Sequence, residues 1–329
     1  MSDAVVRTVE WRQLLADVLR ILAVAAAYYA TARIGLLLRV VVEGATVTPL
    51  WLPTGIAVAA LLRLGLRVWP GIALGTYLAI EHISTFQPVD LGILLGNTLA
   101  PVCAYLMLRR VGFRREMDRL RDGLALVFLG GLLPMLISAT VGTGMLVATG
   151  DLPPGEFWSV WSAWWAGDAM GVLLVTPVLL VLAWVRLPVD PYRAAESAAL
   201  LVVCGVVTLV ATRSSLSLLF LVFPLLIWAA VRFQHAGGAP CALLVSVLAI
   251  WAAIDRTGPF AGHTLFEAMV NLQALNGSVA LTVLLLSALV TEQNNIRLKI
   301  EQLCEELGEV VDRLAPGRPE DRSEERPYE

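Results

Sequence analysis

Apolar residues in this chain run in long blocks, and charged residues gather in the short gaps between them. A block of roughly 20 apolar residues has the length of one bilayer-crossing helix. The pattern predicts ten such helices, at 14–38, 50–64, 68–84, 90–108, 123–148, 158–185, 196–212, 216–231, 238–254 and 270–291. The expected fold class is therefore all-α, a polytopic transmembrane helical bundle. Segments two, three and eight are short, and the count falls to eight if some of them re-enter instead of crossing. After the last span the period changes. Leu289, Ile296, Leu303 and Val310 recur every seven residues, and Ile300, Leu307 and Leu314 fill the other seam behind a polar Gln293. Apolar seams with charged neighbours predict a coiled coil. No Gly or Pro separates Gly277 from Gly308, so the last membrane helix is expected to continue unbroken into this rod.

These boundaries divide the chain into a cytoplasmic N-terminus at 1–13, a membrane domain at 14–291, a coiled-coil signalling helix at 292–315 and a tail at 316–329. Pro316 and Gly317 stop the rod, and the charged, apolar-poor tail is expected to be disordered. The hydrophobic stretch from Leu14 to Leu38 is too long for a signal-peptide core and is expected to remain as an anchor.

Composition agrees with the membrane reading. Hydrophobic residues make up 58% of the 329 residues and charged residues 16%, against about 45–50% and about 25% in soluble domains. Positive charge also orients the chain. Arg7, Arg12, Arg63, Arg67, the segment RRVGFRREMDRLRD, Arg186, Arg193 and Arg232 fall in one alternate set of connections. The intervening connections, EGATVTP, EHISTFQPVD, TGDLPPGEF and DRTGPFAGH, are poor in Lys and Arg. Both termini are thus expected in the cytoplasm, with the bundle in the inner membrane. A net charge of -3 without a basic domain points to no nucleic-acid partner. Four scattered cysteines, three separated histidines and no phosphate-cradling loop or HExxH motif suggest no metal, no cofactor and no enzyme.

Candidate chemistry lies within the spans. Asp168 sits in VWSAWWAGDAMGVLLVTP, where an unneutralised charge costs roughly 2.5–3.5 kcal/mol on insertion scales. It reads either as a proton- or ligand-sensitive group or as an interhelical polar lock, with Arg33 as a candidate partner. Trp51, Trp164, Trp165, Asn97, Glu81 and His82 are candidates to line a ligand site with it, each also explicable as an interfacial or packing residue. Asn271, Gln273 and Asn276 enter the last helix from the outer side. The pairs Gly71 and Gly75, Gly92 and Gly96, and Gly167 and Gly171 are spaced four apart, which permits close helix approach. Pro101, Pro134, Pro177 and Pro224 should kink their spans.

WLPTGIA at 51–57, LGLRVWPGIALG at 64–75, SAWWAGDAMGVLLVTPVLL at 162–180 and ALTVLLLSALVTEQ at 280–293 resemble the first class of bacterial membrane-associated sensor domains, the MASE-one type. One departure is Leu52, where family members usually carry a second proline. The resemblance implies an integral membrane sensor serving a cytoplasmic kinase, diguanylate cyclase or phosphodiesterase, as in two-component and related signal transduction. No room remains for such a domain after residue 295. The chain is therefore expected either to act on another protein or to be a fragment whose rod begins a longer signalling helix. The expected partners are the lipid bilayer, a second copy through Ile296, Ile300, Leu303, Leu307, Val310 and Leu314, a signalling protein and an unknown small molecule. The competing expectation is a small-solute or proton-coupled transporter using Asp168, although no duplicated halves are visible.

Overall fold

A computed structural model describes residues 2–42, 45–83, 85–182, 191–214, 216 and 218–314. Arg186, the end of the sixth predicted span and the predicted tail at 316–329 lie outside the described residues, as does the side chain of Leu314.

The protein is a helical bundle. Helix α1 (Ser2–Gly35) is followed by two short strands, β1 (Val40–Val42) and β2 (Ala45–Val47). They pair antiparallel with Val40 opposite Val47. Then come α2 (Leu52–Leu64), α3 (Trp69–Ile83) and α4 (Asp90–Arg110). The fifth span is composite: α5 (Leu120–Ala125), a π-helical stretch (Leu126–Leu132) and α6 (Met135–Thr149). So is the sixth, with α7 (Phe157–Met170), a second π-helical stretch (Gly171–Val175) and α8 (Thr176–Leu182). The chain continues through α9 (Pro191–Arg213), α10 (Val222–Ile254) and α11 (Leu265–Leu314). Among the described residues, seven helical stretches are long and apolar enough to cross a membrane, and Leu52–Leu64 is a shorter apolar helix.

The prolines explain the irregularities. Each π-helical stretch stands just before a proline, Pro134 or Pro177, whose ring clashes with the carbonyl four residues back. The widened turn absorbs that clash, and the Leu133 amide reaches back five residues to the Phe128 carbonyl at 2.9 Å. Pro101 lies inside α4 without ending it. Pro224, expected within a span, instead occupies the first turn of α10, where a missing amide costs little. The eighth and ninth predicted spans correspond to the two parts of α10, divided at Gln234, where φ is 49° and ψ is -140°.

Helix α2 has 13 residues. At about 1.5 Å per residue this is shorter than a hydrocarbon core of roughly 30 Å. It ends at Gly65, whose φ of 85° suits only glycine without strain. Its Pro53, Thr54, Gly55, Ala57, Val58, Ala59 and Leu61 are buried, so α2 lies inside the bundle with its N-terminus against α7.

Glycine lets backbones meet there. A Cβ on Gly55 would run into the Gly171 carbonyl, one on Gly171 into the Trp51 carbonyl, and one on Gly167 into the Thr48 carbonyl. The Trp51 amide donates to the Gly167 carbonyl at 3.0 Å across this junction. Gly71 and Gly75 of α3 similarly face Ile21 and Tyr28 of α1, while Gly92 and Gly96 of α4 face Met145 and Val141 of α6. Replacing Gly171 by Val should destabilise the protein by about 1–3 kcal/mol or abolish folding. Gly144→Ala, where a Cβ meets nothing within 4 Å, should be neutral or stabilising by up to ~1 kcal/mol. Thermal unfolding in detergent, with folded yield alongside, measures both.

Candidate functional site

Asp168 is 1% exposed, on the third-last position of α7. The Thr54 hydroxyl donates to one carboxylate oxygen at 2.6 Å and the Ser138 hydroxyl to the other at 2.5 Å. Thr54 belongs to the first turn of α2, where unpaired amides and the helix dipole favour negative charge. A single acid thus fastens three elements, α2, α6 and α7. The expected Arg33 partnership does not form. Arg33 lies on the exposed side of α1, where its guanidinium donates to the Tyr29 hydroxyl at 3.2 Å and covers that ring at 5.9 Å.

Beside the carboxylate opens a cavity of about 300 Å³. Trp51, Trp164 and Asn97 line it together with Asp168, so four of the sequence-predicted residues come together. The Trp164 ring lies against Gly142 of α6, at a spot where a Cβ would be 2.6 Å from it. Thr48, Thr76, Asp90 and Asp151 complete the polar wall. Thr48, Asp90 and Asp151 come from the ends of elements on one side of the bundle, which places the mouth there.

Trp165, Glu81 and His82 do not line the cavity. The Trp165 indole donates to the Leu132 carbonyl at 2.8 Å, because the Leu136 amide turns to Leu133 at the Pro134 distortion and leaves that carbonyl free. Its ring stacks on Trp161 at 6.0 Å. Glu81 is exposed and accepts from the Phe86 amide at 3.3 Å. His82 meets the Tyr29 ring edge-on at 6.3 Å and lines a different groove with Arg33 and Arg39.

Sequence reading missed Thr54, Ser138 and Thr48. Helix hydroxyls are common, and only the position of Thr54 inside WLPTGIA gave any hint. The segment holding Trp51 is also tied to the last helix, since the Gln273 side-chain amide donates to the Pro49 carbonyl at 2.9 Å. Asn271 is exposed, whereas Asn276 is fully buried and its amide atoms have no partner among the described residues.

Residues 20–294 match the MASE1 family model. The chain belongs to the MASE1 family. It is a multi-pass membrane sensory domain. It is similar to a protein named Probable diguanylate cyclase DgcE from Escherichia coli (strain K12), 29% identical over 205 residues. That match covers 58% of this chain and 18% of the relative, so the chain spans less than a fifth of that relative's length. No solved structure matches.

Removing the hydroxyl donors tests the lock. Thr54→Val and Ser138→Ala should each cost about 1–3 kcal/mol by leaving a buried acceptor unsatisfied. Adding Asp168→Leu to that pair should recover part of the loss, because no carboxylate then remains to satisfy. Thermal unfolding of the single, double and triple variants reads the sign; a triple variant no more stable than the double would contradict the assignment.

Proposed function

We propose that this MASE1 domain receives a small molecule in the cavity beside Asp168 and passes the signal along α11 to a cytoplasmic output, a kinase or a cyclic-di-GMP enzyme. The observation that carries the reading is the physical continuity from cavity to rod. Trp51 lines the cavity, the segment before it accepts a hydrogen bond from Gln273, and α11 then runs as one helix of 50 residues to Leu314. The diguanylate cyclase name of the E. coli relative supports an output of the second kind.

Transmission requires two packings of the bundle that hold the occupant with different affinity. The backbone-to-backbone junction at Gly167 and Gly171 suits this, because a shift of the Thr48–Trp51 segment moves the α11 contact directly. The charge asymmetry of the connections supports an orientation with both ends of the chain in the cytoplasm. The rod acts as a homodimer. Ile296, Ile300, Leu303, Leu307 and Val310 are all exposed in the single chain, Leu307 at 63%, and they share one seam. An ion pair between Arg297 and Glu301 at 3.0 Å flanks it.

A diguanylate cyclase domain fused after Leu314 would test transmission through cyclic-di-GMP output in membranes. Asp168→Asn should change that output at equal membrane level. Three residues inserted after Gln302 should uncouple it, while a seven-residue insertion, which nearly restores the helical phase, should not. Indifference to all three changes would reject the reading. For the dimer, Leu303→Cys in a Cys304→Ser background should crosslink between copies in membranes, and Glu305→Cys in that background, on the face opposite the seam, should not.

A further inference from the structure

The walls of the cavity restrict what can occupy it. Among the described residues, its ionisable lining residues are Asp90, Asp151 and Asp168, and none is Arg, Lys or His. Asp90 and Asp151 are held near the mouth, Asp90 accepting from the Gln87 amide at 2.8 Å and Asp151 from the Thr149 hydroxyl at 2.6 Å. Asp168, at the buried end, accepts from the Thr54 and Ser138 hydroxyls and has the Trp164 indole as a further neutral donor beside it, so no positively charged group among the described residues balances it. Trp51 and Trp164 supply aromatic surface to the same space.

Two further groups point to an occupant. Thr48 is 8% exposed, and its hydroxyl has no hydrogen-bond partner among the described residues. The Asn97 side-chain amide on the same wall is likewise without one. Thr48 is buried, where an unpaired polar group is costly, and Asn97 is half-buried on the same wall, so both are available to a guest.

Each class of guest meets these walls differently. An anion would enter a space whose ionisable groups are all acidic. An uncharged apolar molecule would leave Thr48 and Asn97 unpaired and Asp168 unbalanced. A bare divalent ion needs several converging ligands, and no group of three or more His, Cys, Asp or Glu among the described residues could hold one. An organic cation answers all the features at once. Its charge faces the carboxylate and the π-faces of tryptophan, and its body fills the apolar remainder of a cavity near the lower end of the usual ligand range of roughly 300–1,000 Å³.

We infer that the cavity binds a small organic cation, an ammonium group on a compact apolar body, with Asp168 as its counter-ion and Trp51 and Trp164 as the faces that receive its charge. This names the ligand class of the site and rests on the sensory reading only for what binding accomplishes.

Calorimetric titration of the full chain in lipid nanodiscs provides the test, with choline as the probe and 3,3-dimethyl-1-butanol as its uncharged isostere. Choline should bind saturably, and the isostere on the order of tenfold more weakly or worse. Asp168→Asn should weaken choline by at least about tenfold and leave the isostere little changed. Should that variant fail to fold, Trp164→Leu substitutes for it and should weaken choline more than the isostere. Equal binding of the two probes, equal loss of both in a folded variant, or no choline binding would overturn the inference. The measurement needs no output domain. Choline binding beside an unresponsive cyclase fusion would therefore count against the sensory reading alone, and a responsive fusion without choline binding against the cation alone.

Discussion

One carboxylate, placed where lipid surrounds the bundle, organises the centre of this molecule. Asp168 can be buried because two hydroxyls from different helices reach its two oxygens and because a short helix ends its N-terminal turn against it. Remove that arrangement and the acid has no reason to be tolerated. Remove the acid and α2, α6 and α7 lose their shared polar contact. The surrounding glycines serve the same end, since only residues without a Cβ allow the Thr48–Trp51 backbone to lie close enough to α7 for Thr54 to reach the carboxylate.

The short helix α2 follows from this constraint. A helix that crossed the whole bilayer would bury its N-terminal amides in headgroups. Stopping short leaves that polar end inside the bundle, where it is useful. The two π-helical stretches belong to the same logic: each relieves a proline, and the first frees the Leu132 carbonyl for the Trp165 indole. Irregular backbone is tolerated at membrane depth where it is buried in protein, and here it is concentrated around the acid.

Much of the fold was legible in the sequence because hydropathy registers each passage through lipid. The predicted spans find helices in the structure, and the unbroken stretch after Gly277 appears as the continuous α11. Where hydropathy misleads, the reason is plain. It reports where a helix enters lipid and not where the helix ends, so α1 begins at Ser2, ahead of the predicted start at 14. The β1–β2 pairing falls in the connection after the first predicted span, where the run of valines before Glu43 and Gly44 is a strand composition. At the site, Asp168, Trp51, Trp164 and Asn97 could be picked out because polar and aromatic groups are conspicuous among aliphatic ones. Thr54 and Ser138 could not, since they lie 114 and 30 residues from Asp168 and hydroxyls are common in membrane helices. The Arg33 expectation failed because charge complementarity in sequence says nothing about which side of a helix faces inward.

The unbroken length of α11 has a mechanical corollary. Fifty residues of helix measure about 75 Å, so the helix behaves as a lever whose near end is gripped at Gln273. From Gln273 to Leu314 the arm is about 60 Å, and a tilt of roughly 5° about that grip would sweep the far end through about 5 Å, close to the 5.4 Å pitch of one helical turn. Rearrangements too small to disturb the close-fitted glycine junctions can therefore arrive at the distal end as displacements large enough to change which side chains meet there.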